Sequence, residues 1–97
     1  MAEPLAAETA ERWGLIWKAV DDAALLDEAI AIAEKLANGP PISLGLIKGQ
    51  LEAAWTSPLA DTLDSEAAAQ GRAFVTEDLR EGAAAFVEKR PPRFNGR

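Results

Sequence analysis

The stretch Thr76–Arg97, TEDLREGAAAFVEKRPPRFNGR, decides how the rest of the chain is read. Thr76 can open a helix, because its side-chain oxygen can accept from a free backbone N–H of the first turn. Glu77 and Asp78 then suit the positive end of the helix dipole, and Lys89 and Arg90 suit the negative end. Leu79, Gly82, Ala83, Phe86 and Arg90 recur at helical spacing and line one face. Pro91-Pro92 terminates the helix, and RFNGR should be irregular.

Working back from this stretch, Ser57-Pro58 predicts another helix start, with Ser57 as cap and Pro58 at the first helical position. Leu59, Leu63, Ala67, Gln70 and Phe74 lie along one side of that helix. A helix from about Pro41 to Thr56 carries Leu44, Ile47, Leu51, Ala54 and Trp55 as its stripe. Gly45 and Gly49 lie one turn apart in it, each costing up to about 1 kcal/mol of helix propensity against Ala, so close packing is expected there. A helix from about Ala23 to Asn38, capped by Asp21 or Asp22, is stopped by Asn38-Gly39-Pro40-Pro41. Ala6–Trp13 reads as a short helix closed by Gly14. Leu15–Val20, LIWKAV, reads as a short strand or extended segment. The expected architecture is mostly α, about five helices with one short strand near 15–20. A lone strand has no pairing partner within so short a chain, which points to a sheet outside it.

Composition bounds the function. At 97 residues the chain allows one small domain, burying about 60–65% of its unfolded surface. The balance of 16 Asp+Glu against 10 Lys+Arg, net −6, argues against broad nucleic-acid binding. The one charge asymmetry is the basic tail Lys89, Arg90, Arg93 and Arg97. Cys and His are both absent, so there is no thiol nucleophile, disulfide, imidazole base or Cys/His metal site. A cytoplasmic setting is compatible with that usage. No apolar run approaches the roughly 20 residues of a membrane helix. No signal-peptide apolar region opens the chain.

Candidate chemistry is sparse. GLIKG lacks the spacing and Ser/Thr of a phosphate loop. The carboxylate pairs Asp21/Asp22, Asp27/Glu28, Asp61/Asp64 and Glu77/Asp78 sit at caps or on polar faces, and solvated structural roles are preferred for them. Trp13 and Trp17 could line an acyl pocket, but packing is the better reading. Phe86 and Lys89 are the best candidates. Three apart on one helix, they are surface neighbours, and an aromatic face beside an ammonium suits a nucleotide base and its phosphate. From spacing alone, packing for Phe86 and helix-end charge for Lys89 is preferred.

The same stretch resembles the carboxyl-terminal signature of the crotonase (enoyl-CoA hydratase/isomerase) superfamily, roughly T-x-D-x-x-E-G-x-x-A-F-x-E-K-R-x-P-x-F. It falls on Thr76, Asp78, Glu81, Gly82, Ala85, Phe86, Glu88, Lys89, Arg90, Pro92 and Phe94 without a gap. EPLAAETAERWGLIWKAVDD resembles the segment after the family's active site, and PISLGLIKGQL the helix that follows, with Lys48 at its usual place. WGLIW, LGLIK and PPRFNGR are most similar to the phenylacetate-degradation branch, whose members isomerise ring-epoxidised phenylacetyl-CoA or related unsaturated acyl-CoA esters. The resemblance implies a carboxyl-terminal fragment, roughly the last third of a family member. Residues 1–22 would close the crotonase core and residues 23–97 would form a helical assembly domain. It implies an acyl-CoA thioester substrate, no further cofactor, and trimer-type self-association. It also implies a missing amino-terminal core with the backbone N–H groups that hold the thioester oxyanion. The family's CoA-contacting aromatic and lysine fall on Phe86 and Lys89, which reverses the preference that spacing alone gives. The fragment is expected to be inactive alone, with no catalytic residue. A free-standing helical oligomerisation module is the alternative.

Overall fold

The computed structural model describes residues 2–97. The chain forms two compact units, Met1–Ala33 and Glu34–Arg97. Five α-helices follow in order: α1 (Ala7–Arg12), α2 (Leu25–Ala37), α3 (Pro41–Ala54), α4 (Leu59–Phe74) and α5 (Glu77–Glu88). None of them is long and apolar enough to cross a membrane.

In the first unit, α1 stops where Gly14 adopts φ +75°. The Gly14 N–H donates to Glu11 O at 2.9 Å and the Leu15 N–H to Ala10 O at 2.9 Å, the paired bonds of a left-handed helix stop. Leu15–Val20 is not a strand; it continues as a turn and an irregular segment. Side chains hold it instead. The Ala19 N–H donates to Glu11 Oε2 at 2.9 Å, and Lys18 pairs with Glu28 at 2.9 Å. An apolar, β-favouring run becomes a strand only beside a backbone that supplies its ladder, and no strand exists among the described residues. Asp21 makes no side-chain cap; a 3₁₀ turn, Asp22–Ala24, leads into α2.

In the second unit, α3 and α4 form a helical hairpin. Gln50 Nε2 clips it, donating to Ser65 O at 3.1 Å and Ser65 Oγ at 3.0 Å. Pro58 lies one position earlier than expected, as the extended residue before α4, and no side-chain cap is made there. Thr62, Ala69 and Ala73 are the half-buried positions of α4, whereas Leu59, Leu63 and Phe74 of the expected stripe are 74%, 55% and 64% exposed. On α3, Ile47, Leu51 and Trp55 are likewise exposed. Gly45 and Gly49 have nothing within 4 Å of where a Cβ would stand, so the expected close neighbour is not found among the described residues. The stripes place the helices correctly, but much of each stripe is exposed. Burying a large apolar side chain contributes roughly 1.5–3 kcal/mol, and no large side chain among the described residues is fully buried.

Candidate functional site

Helix α5 begins as its sequence predicts. Thr76 Oγ1 accepts from the Leu79 N–H at 3.2 Å and donates to Ala73 O at 2.7 Å. Its buried face meets the expected stripe only at Gly82. Asp78 and Ala85 are buried, at 3% and 2% exposure, and Glu81 and Gly82 between them are half-buried. Leu79 and Phe86, on the expected stripe, are exposed.

The tail covers that face. Residues 91–97 have no regular structure, as expected, but they are strapped down. Asp78 Oδ1 accepts from the Asn95 N–H at 2.7 Å, and Asp78 Oδ2 from the Gly96 N–H at 3.0 Å. The Glu77 N–H donates to Arg97 O at 2.6 Å, satisfying one of the free donors of the helix start. The Phe94 ring lies over Gly82, 3.6 Å from the position of an added Cβ.

Glu81 anchors the start of the strap. Arg90 donates to it with both arms of its guanidinium, at 2.6 Å and 2.9 Å, and the Arg93 N–H adds a third bond at 2.8 Å. The hydrogen bonds from Arg90 and then from the Arg93 backbone hold the Glu81 carboxyl down at about 2, from an ordinary 4.5. The same contact raises the Arg90 guanidinium further above its ordinary value.

Sequence reading missed this network, because Asp78 and Glu81 look like ordinary acids on a wet face. The available signal was their register. Asp78, Glu81, Gly82 and Ala85 recur at three- and four-residue spacing, with the smallest residues opposite a later aromatic.

With those residues accounted for, Phe86 and Lys89 stand apart. Phe86 is 86% exposed, so it is not a packing residue within this chain. Lys89 is exposed too, and it has left the helix, with φ +53° and ψ +40°. Among the described residues it is the one non-glycine with positive φ. The two are therefore not i, i+3 neighbours on a helical surface. The helix stop links their backbones: the Lys89 N–H donates to Phe86 O at 3.4 Å and the Arg90 N–H to Ala85 O at 3.1 Å. Glycine is the usual residue at such a stop. A residue with a Cβ costs roughly 1 kcal/mol more in this conformation. Such a residue points to a use for its side chain.

Other candidates do not form a site. Trp13 and Trp17 are 66% and 73% exposed. The α3–α4 hairpin has a largely apolar groove of about 510 Å³, lined by residues including Leu46, Leu51, Ala69, Ala73 and Leu79, and neither Phe86 nor Lys89 borders it.

Comparison with known proteins places this geometry in a family. The family model described as enoyl-CoA hydratase/isomerase matches residues 1–97. The chain is similar to the 1,2-epoxyphenylacetyl-CoA isomerase of Escherichia coli (strain K12), 43% identical over all 97 residues and 37% of the relative's length. It is also similar to a probable enoyl-CoA hydratase of Rhodobacter capsulatus, 44% identical over 99% of this chain and 37% of the relative. The crystal structure of an enoyl-CoA hydratase from Polaromonas sp. JS666 superposes with a TM-score of 0.91 at 29% identity, covering 96% of this chain and 36% of that one. The chain thus spans a little over a third of the length of the relatives it matches. With the signature matched from Thr76 to Phe94 and its fold shared with solved members, the chain belongs to the enoyl-CoA hydratase/isomerase (crotonase) family.

Proposed function

We propose that this chain works as the carboxyl-terminal portion of an enzyme acting on acyl-CoA thioesters in the cytoplasm, supplying oligomer contacts and part of the coenzyme A site. Residues 1–22 would end the catalytic core, and residues 23–97 would form the helical assembly domain. Phe86 offers its ring to the adenine, and Lys89 offers its ammonium to a phosphate of the same ligand. The acid/base groups and the oxyanion donors lie outside these residues. The observation that carries this reading is Lys89 in a left-handed helix stop, where glycine would be less strained, three residues after the exposed Phe86. The 43% identity to a relative named 1,2-epoxyphenylacetyl-CoA isomerase supports an aromatic acyl group and the phenylacetate-degradation branch.

The test is titration of coenzyme A into the whole protein. Phe86→Ala and Lys89→Gly should each raise Kd about tenfold, the loss of one stacking or charge-assisted contact, with kcat at saturating substrate little changed. Unchanged Kd in both variants would remove these residues from the ligand site.

A second reading is a free-standing helical oligomerisation module, favoured by the exposed apolar residues on α3 and α4. It predicts self-association of residues 1–97 in sedimentation with no response to coenzyme A.

A further inference from the structure

We infer that the Glu81–Arg90 ion pair positions the coenzyme contact at Phe86 and Lys89, an inference that rests on the reading of those two residues as ligand contacts. Lys89 and Arg90 are adjacent cations, and the charge of either suits a phosphate. The structure separates their roles. Both arms of the Arg90 guanidinium donate to Glu81, at 2.6 Å and 2.9 Å. Its Nε donates to the Glu88 carboxylate and its Nη1 to Pro91 O at 3.3 Å. Four of the five N–H donors of this fork are engaged within the chain, and its charge is matched by two carboxylates. Lys89 forms no ion pair among the described residues, which leaves it as the cation available to an anionic ligand.

The pair also fixes how Lys89 is presented. Its neighbours, Glu88 and Arg90, are tied to each other across it, and Arg90 is tied nine residues back to Glu81 within α5. Glu81 in turn accepts from the Arg93 N–H at 2.8 Å, so the chain direction beyond Lys89 is held by the same carboxylate. A left-handed residue without glycine's freedom persists when its surroundings over-determine it, and these links do so. Without them the helix end frays, and the angle between the Phe86 ring and the Lys89 ammonium is no longer set. Glu81 and Arg90 are thus positioning residues, and neither touches the ligand. Their planar, two-armed contact is specific to arginine.

The test is a double-mutant cycle on the whole protein, read as Kd for coenzyme A with kcat and thermal midpoint alongside. Glu81→Gln and Arg90→Lys should each raise Kd several-fold, on the order of 3- to 10-fold, with kcat preserved. In a Lys89→Gly background the same substitutions should add little, because the contact they position is already gone. Full additivity in that background would overturn the positioning role while leaving the Lys89 contact standing. A Lys89→Gly protein that binds coenzyme A normally would remove the contact itself, and the positioning role with it. Loss of folding in both Glu81→Gln and Arg90→Lys would make the pair a folding element and overturn the inference as well.

Discussion

At Lys89, replacing the side chain with hydrogen separates backbone comfort from ligand contact. Glycine accepts φ +53° freely, so Lys89→Gly should leave folding stability within about 0.5 kcal/mol or raise it by up to about 1 kcal/mol. Thermal melts check this beside the weaker coenzyme A binding predicted above, and a lower melting midpoint would show that the side chain serves packing. Glu81 gives the pH dependence. Its folded-state carboxyl titrates at about 2 against an ordinary 4.5. A lowered value stabilises the fold fully above about 4.5, and that contribution is lost as pH falls toward about 2. Glu81→Gln should therefore flatten the acid limb of the stability profile between those values, measured by denaturant midpoints across pH. An unchanged acid limb would show that Arg90 and Arg93 do not hold this carboxylate in solution. At this scale the sequence was partly legible. Thr76 announced its cap because an N-cap needs only a local partner. Glu81 gave no such sign, since its partners arrive from nine and twelve residues later.

Among the elements, helices were legible and their partners were not. Apolar residues at helical spacing give α2, α3 and α4 to within a residue or two, because helix formation is a local matter of spacing, stops and propensity. Which face is covered depends on what lies opposite, and Leu63, Trp55 and Ile47 remain exposed. The same distinction explains Leu15–Val20, whose composition favours a strand that its surroundings do not complete. The glycines of α3 make this testable. Gly45→Ala and Gly49→Ala meet nothing within 4 Å here, so each should stabilise residues 1–97 by up to about 1 kcal/mol. In the whole protein a destabilisation would reveal a close neighbour supplied from elsewhere. On α5, Gly82→Ala places a methyl in ordinary contact with Phe94 and should be tolerated. Gly82→Leu should displace the ring and loosen the tail, seen as faster amide exchange at Asn95 and Gly96.

For the whole molecule, the distribution of surface and signature defines what these residues contribute. The signature divides into a self-contained strap, built on Asp78, Glu81, Gly82, Arg90 and Phe94, and the exposed pair Phe86 and Lys89. Large apolar residues on several helices are exposed. The relatives are nearly three times as long as the matched region. Family and fold were legible because the signature is long and gap-free. The left-handed backbone at Lys89 was not, because residue spacing does not encode it. In the proposed reading these residues help to hold an acyl-CoA ester, and the proton transfer belongs to residues outside them. The most direct test is the turnover of enoyl-CoA esters by residues 1–97 alone, with helicity confirmed by circular dichroism. The expected rate is that of buffer, whereas hydration or isomerisation above buffer would contradict the assignment of chemistry to residues outside this chain.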